Sequence, residues 1–512
     1  MAADHPSLTS PLGSQAAGYA AVIERHDLKV MPHHRWTFVA TRGGRRELAD
    51  GRFVMRAPHL SPDEMSDVEH LLLSLKHDGI ALPVLGAAFE LPGLPESLAD
   101  SVRATPTGKY HRQLWYLFEW MTGERLEIAD TVATNYVRLL DRGTHLTGPE
   151  RPSKRHAIID NQLGGPAFCP MVRRTTALDD VSNEALAGEL ERIVDAYDED
   201  VIARAVSYLF TKETMSSFAI EREKPSASRA ERFVASLRSV RQLGLPTEEA
   251  LTEMQAAIVD PRFAEDGFRT EQNYVGQALG LHRQRIHFVP PKPDDVGPLM
   301  EGWLAMVREA PKADAAAWAA CIAFAFVFIH PFVDGNGRLH RFLIHWLLAH
   351  RGVTPEGLVI PVSAVMLQRR REYDEVLELV SRPLSRLLDY ELDEDGRLEV
   401  HGTTARHYRY LDLTAHAEAL ARWLRESVRE DLPAELEFLV GLREARARMV
   451  EIVDLPDRLA DLFIKVCLAN GGKLSKRKRD RHFGMLSDEE IADLEGVVRS
   501  CMSVQQRDRV LA

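Results

Sequence analysis

The longest apolar stretch of the chain runs without interruption from Ala315 to Ile329, rich in alanine and free of glycine, which predicts a helix buried on all sides. Pro331 disfavours the α conformation for His330, so that helix should stop there. Helical spacing recurs on both sides of it. Val68, Leu71, Leu72, Leu73 and Leu75 form a stripe behind the N-cap signature Ser61-Pro-Asp-Glu, and Leu114 to Trp120 is a second, aromatic-rich helix. Leu190, Ile193, Val201 and Ile202 mark a helical stretch from Glu189 to Tyr208, and Leu299, Met300, Trp303, Leu304 and Met306 another behind Asp294-Asp-Val296. Leu367–Leu379, Leu411–Val428, Glu435–Val453 and Arg458–Ala469 continue the pattern to the C-terminal part.

Strand-like patterns are few. Leu28 to Pro32 and Arg35 to Ala40 are short candidates, and Arg269–Gly276 with Arg285–Pro291 alternate about a Gly-Leu-His turn, which predicts a β-hairpin. The polar, small-residue stretch from Met1 to about Arg25 predicts a frayed end. The expectation is a mainly α protein: an N-terminal accessory α+β domain at 1–185, a helical core with the hairpin at 186–390, and a C-terminal helical domain at 391–512.

Composition narrows this little. With 512 residues, 45% hydrophobic and 27% charged, the chain is an ordinary globular protein of two to three domains. A net charge of −12 argues against nucleic-acid binding through overall charge. The one strong basic run, Lys473-Leu-Ser-Lys-Arg-Lys-Arg-Asp-Arg481, could contact DNA, but a solvated helix lead-in neutralised by nearby acids is the expected reading. Cys169, Cys321, Cys467 and Cys501 are far apart and form no CxxC pair, which predicts a reducing compartment without zinc or disulfides. The first thirty residues lack a basic segment followed by an apolar core, and the 315–329 run is shorter than the ~20 residues of a membrane span, so a cytoplasmic protein without membrane attachment is expected.

Chemistry gathers in Phe328-Ile-His-Pro-Phe-Val-Asp-Gly-Asn-Gly-Arg-Leu-His-Arg341. Gly335-Asn336-Gly337 tolerates positive φ, so successive amides could form an anion-binding nest ahead of a helix beginning at Arg338. Arg338 and Arg341, three apart, are neighbours on that helix and can both reach a polyphosphate, while Asp334 is suited to hold Mg²⁺ against phosphate oxygens. His330 is left to handle a proton.

From His330 to Arg341 the chain resembles the Fic family signature, histidine-proline-phenylalanine-x-acidic-glycine-asparagine-glycine-arginine-x-x-arginine, at every specified position. The resemblance extends over about Ser207 to Ser385 and implies a Fic-type helical core that transfers AMP from ATP to a protein hydroxyl. By that resemblance His330 would be the general base, Asp334 the Mg²⁺ ligand, and Gly335, Asn336 and Gly337 the phosphate cradle. Arg338 and Arg341 would take the β/γ end of ATP. Doc-type kinases replace the motif glycines with alanine and lysine, so Gly335 and Gly337 favour nucleotidyl over phosphoryl transfer.

Residues 211–224 resemble the inhibitory helix of the same family, with Ser217 and Glu221 four apart on one predicted helical face and Arg341 implied as the glutamate's partner. Arg222 departs from the pattern, standing where glycine or asparagine is usual. The hairpin at 272–289 resembles the flap against which a target protein's main chain docks. Pro106-Thr-Gly-Lys-Tyr110 is read as a helix-leading turn, because Arg103 stands where a phosphate loop needs its first glycine. The basic Ser153-Lys-Arg-His156 is read as solvated loop. Two other readings remain open at this point: a transferase on the same scaffold with a different nucleotide or phospho-donor, and a nucleotide-sensing DNA-binding regulator. Target, base preference and oligomeric state are not encoded in any motif.

Overall fold

The computed structural model describes residues 9–42, 44–49, 51–57, 59–280, 283–309 and 314–502. The protein is mainly helical, with four small sheets, and divides into two compact units built from interleaved segments. The first comprises Met1–Asn183, Pro225–Arg351 and Arg369–Arg422; the second comprises Glu184–Lys224, Gly352–Gln368 and Trp423–Ala512.

In the first unit a four-stranded sheet pairs Trp36–Ala40 in parallel with Arg52–Arg56, in register Trp36 to Arg52, and carries Ser14–Ala16 and Arg46–Glu47 on its edges. Trp36, Phe38 and Val54 join a core with the helices Tyr19–His26, Asp67–His77, Leu82–Phe89, Leu94–Ala104 and Lys109–Thr122. The described part of the expected frayed end is ordered into a helix: Tyr19, Ala20, Val22 and Ile23 are buried, sharing one helical face toward the core. Residues 1–8 lie outside the described part. No strand forms at Leu28–Pro32, where Pro32 removes a ladder donor, although Val30 and Met31 are still buried.

The Ser61 signature yields only a short turn, Pro62–Glu64, because Ser66 makes the better cap. Its hydroxyl accepts from the Glu69 N–H, and the Glu69 carboxylate returns the bond to the Ser66 N–H. The basic Ser153–His156 segment is not solvated loop. Arg155 bonds Glu119 through Nε and Nη2, His156 approaches the same carboxylate at 3.0 Å, and the guanidinium lies over the Trp115 ring at 4.7 Å. Burial pushes the His156 imidazole down to about 4, while Glu119 opposes that shift.

Two helices, Ala227–Arg238 and Glu248–Ile258, lead to the hairpin, and Pro293–Glu309 to the apolar helix Ala315–Ile329, which is buried almost throughout. The turn helix-to-helix at 330–335 then opens Asn336–His350.

The second unit is helical. Glu199–Ile220 is separated from Asn183–Asp195 by a break capped at Asp198, so the expected single stretch from Glu189 to Tyr208 is two helices. Buried Glu213 accepts from the Ser363 N–H at 2.9 Å and from its hydroxyl. Leu432–Ile452 crosses Asp488–Cys501 at Gly441, where a Cβ would lie 2.5 Å from the Cys501 carbonyl oxygen. The basic run becomes the short helix Lys476–His482, whose Arg479 pairs with Asp488.

Among the described residues no helix is long and apolar enough to cross a membrane. All four cysteines are free thiols, three of them buried.

Candidate active site

The apolar helix ends as Pro331 requires, and the end has a specific shape. His330 is its C-cap at φ 54°, ψ 58°, with its N–H on the Phe326 carbonyl at 2.9 Å. A left-handed histidine is uncommon and costs on the order of 1 kcal/mol, so something nearby must hold it. The imidazole Nδ1 lies 3.2 Å from the Val327 carbonyl oxygen. A carbonyl only accepts, so Nδ1 carries a hydrogen in this contact. The ring is half-buried and packs edge-on to Phe288 of the hairpin at 5.9 Å.

The loop beyond is closed by side chains on backbone. Asn336 bonds reciprocally with Phe332, Oδ1 accepting the N–H at 3.0 Å and Nδ2 donating to the carbonyl at 2.7 Å. Its amide is thus engaged by the loop, leaving its backbone N–H as the group that can face an anion. The Val333 N–H donates to Glu265 Oε2 at 2.8 Å, and Gln255 Nε2 reaches the Asp334 carbonyl at 3.2 Å. Burial and nearby Asp334 raise the Glu265 carboxyl, while the Val333 and Asp334 amides draw it down.

Of Gly335, Asn336 and Gly337 only Gly335 takes positive φ, at 91°, and a Cβ there would meet Val259 Cγ1 at 3.0 Å. Asn336 and Gly337 are the first residues of the helix, not part of a free nest, so the helix begins two residues before Arg338. The amides of Asn336, Gly337 and Arg338 precede the first intrahelical bond, from the Leu339 N–H to the Gly335 carbonyl at 2.9 Å. The anion site expected of a nest is therefore the N-terminus of a 15-residue helix.

Arg338 and Arg341 are buried on this helix. Arg338 Nη2 contacts Asp334 Oδ1 at 2.7 Å and its Nη1 the Ile258 carbonyl at 3.3 Å, while Arg341 Nη1 lies 3.4 Å from the Tyr373 hydroxyl. Asp334 Oδ1 also accepts the Gly335 N–H at 2.6 Å. No group of three or more His, Cys, Asp or Glu is placed to hold a metal among the described residues. A half-exposed single carboxylate fits Mg²⁺, which is commonly bound through one or two carboxylates with the remaining ligands from phosphate and water.

A hairpin forms about the expected turn, but its strands are Val275–Gly280 and Arg283–Phe288, antiparallel, so the first arm lies after Arg269–Tyr274 and not on it; among the described residues the pair has no further strand on either edge. Leu281 and His282 of its turn lie outside the described residues. Asn273 Nδ2 at its base donates to the Phe332 carbonyl at 3.2 Å, and Tyr274 and Ile286 pack on Leu398 and Val400 of a second hairpin, Asp389–Leu392 with Leu398–His401.

Sequence spacing overlooked Arg269. Its backbone N–H and guanidinium meet the Pro331 and His330 carbonyls, yet nothing in its neighbourhood of the chain distinguishes it from a strand-edge arginine. Gln255 and Glu265 were missed too, being polar residues that face inward on a helix and a loop.

Ser217 and Glu221 belong to the second unit. Ser217 is buried, but the helix ends at Ile220, so Glu221 is its exposed C-cap and not a residue of its regular face. Arg222 follows at φ 59°, with its N–H on the Ala219 carbonyl and the Glu223 N–H on Phe218. That left-handed position after a helix end is the one glycine or asparagine fills without strain.

Residues 245–348, about a fifth of the chain, match the Fic/DOC family, and the chain thus carries a domain of that family. A protein adenylyltransferase Fic of Drosophila mojavensis is 36% identical over 128 residues, covering 24% of this chain and 22% of its own. The protein of the same name from Drosophila grimshawi is also 36% identical over 128 residues, covering 24% and 23%. The chain therefore spans less than a quarter of the length of these relatives. A solved Fic family protein from Desulfovibrio desulfuricans G20 shares 17% identity, with 63% of this chain and 85% of that one covered, at a TM-score of 0.35.

Proposed function

We propose that the chain is a protein adenylyltransferase that moves AMP from ATP to a Ser, Thr or Tyr hydroxyl of a target protein. The observation that carries this is His330: an imidazole at the end of the apolar helix, with Nδ1 on the Val327 carbonyl oxygen, beside a helix N-terminus that suits phosphate.

In this reading the target oxygen attacks the α-phosphorus, the bond to the bridging oxygen of the β-phosphate breaks, and the hydroxyl proton passes to His330 Nε2. Asn336, Gly337 and Arg338 offer amides to the phosphates, with Gly335 allowing the turn that aims them. Arg338 and Arg341 hold the β/γ end, so pyrophosphate leaves from a charge-matched site. Asp334 would hold Mg²⁺, which supplies charge neutralisation on the phosphate oxygens when bound. A target's extended segment would add to an open edge of the 272–289 hairpin, through main-chain bonds that carry little sequence selectivity. Glu221 is read as an inhibitory carboxylate, and the left-handed Arg222 supports this by giving the chain the turn expected of the usual glycine or asparagine.

The test is incubation with ATP labelled in the α- or the γ-phosphate, in the presence of Mg²⁺. Label should enter protein from the α position only, with AMP mass added, and His330→Ala should lower the rate about 10²-fold or more. Label from the γ position would make the enzyme a kinase. An unchanged rate in His330→Ala would remove the base.

A further inference from the structure

Arg269 sits six residues before the first hairpin strand, in the first unit, and is 3% exposed. Its Nε donates to the His330 carbonyl at 2.9 Å, Nη1 to the Glu271 carbonyl at 3.0 Å and Nη2 to the Pro291 carbonyl, while its own N–H donates to the Pro331 carbonyl at 2.8 Å. One side chain thus joins Glu271 ahead of the hairpin, Pro291 beyond it, and the carbonyl of His330. We propose that Arg269 is the positioning residue of this site, holding His330 in its left-handed conformation and locking that conformation to both ends of the flap.

Two physical points favour this over a role in stability alone. Taking a guanidinium out of water is costly, and every acceptor bonded to Arg269 is a backbone carbonyl, none a carboxylate. Burial brings the group down to about 10. A chain seeking stability alone would fill this place with an apolar side chain. The second point is shape, because the three carbonyls lie around a planar fork that an ammonium cannot reproduce. The phosphate side of the loop is anchored separately, through Gln255 to Asp334, Glu265 to Val333, and Ile258 to Arg338. Loosening Arg269 should therefore move the base and spare the nucleotide site.

The proposal rests on reading His330 as the proton acceptor, and its test has one arm that does not. Wild type, Arg269→Lys and Arg269→Gln are compared in three ways: AMP incorporation at saturating ATP, ATP affinity by calorimetry, and crystal structures. Arg269→Lys should lose about 10²-fold in rate, the scale of a misplacement of about 1 Å. Its ATP affinity should change by less than about threefold, a split between turnover and binding that a merely structural role would not give. Arg269→Gln, which keeps one amide donor for the His330 carbonyl, should fall between. In the crystal structure of Arg269→Lys, His330 should leave the left-handed region while Asn336–His350 stays in place.

An unmoved His330 would overturn the proposal, as would ATP affinity that falls as far as the rate, or unfolding of both variants. If wild type transfers no AMP, the functional reading fails, and the crystal comparison still decides Arg269.

Discussion

Asp334 and Arg338 face each other across one turn at the start of the motif helix, Oδ1 to Nη2 at 2.7 Å, with the guanidinium buried and the carboxylate half-exposed. The same Oδ1 takes the Gly335 N–H. One carboxylate oxygen thus sets the loop and neutralises a buried cation.

Asp334→Asn should therefore do two separable things. It removes the anionic ligand, so Mg²⁺ should no longer tighten ATP binding in a calorimetric titration. It also weakens the partnership with Arg338, lowering stability by roughly 1 kcal/mol, a small figure because the carboxylate is in contact with solvent. ATP affinity that still responds fully to Mg²⁺ would take the metal away from Asp334.

Glu221→Gly should raise incorporation of AMP above wild type. If a pairing of this carboxylate favours an unproductive nucleotide pose by about 3 kcal/mol, the productive fraction falls roughly a hundredfold, and the variant recovers it. Intact mass after incubation with ATP and Mg²⁺ reads the difference. Equal or lower labelling in the variant ends the autoinhibition reading and leaves His330 untouched.

Arg222→Gly should stabilise the protein by about 1 kcal/mol, because a side chain at φ 59° carries a steric penalty that glycine lacks. Chemical denaturation measures this. A destabilised variant would mean that the Arg222 side chain contributes more than its backbone costs.

Asp78→Asn should change how stability depends on pH. Burial raises the Asp78 carboxyl from its ordinary 3.8 to about 7, where Thr37 donates to it. Between those values the unfolded chain has released the proton and the folded chain retains it, so wild-type stability falls as pH rises from about 4 to about 7. At about 1.4 kcal/mol per unit the loss amounts to about 4 kcal/mol, which Asp78→Asn should abolish. Parallel curves for the two proteins across that window would contradict the assignment.

Legibility in the sequence followed how local each interaction is. The end of the 315–329 helix, the hairpin and the motif helix were readable because proline, alternation and glycine act on their immediate neighbours. The helix start at Ser66 was misplaced by a few residues, because two overlapping cap signatures compete and only the capping box decides. What lay beyond reach was long-range. Glu119 gathers Arg155 and His156 from 36 and 37 residues away, and Arg269 finds His330 61 residues on, contacts that leave no periodic trace. The same distinction explains the site: the motif named His330, Asp334 and the arginines, but not the three residues that hold their loop.

The second unit is gathered from three separated stretches, the last beginning at Trp423. The ribosome therefore releases the helix Glu199–Ile220 well before the helices Leu432–Ile452 and Asp488–Cys501 that complete its unit exist. At roughly 5–20 residues per second, the wait for the intervening residues is on the order of 10–40 s. Through that interval the helix, whose Leu209, Phe210 and Phe218 are buried in the finished protein, waits for the last part of its unit. For the same reason a stop codon after residue 422 would not shorten a tail. It would leave the helix Glu199–Ile220 in a unit without its last segment.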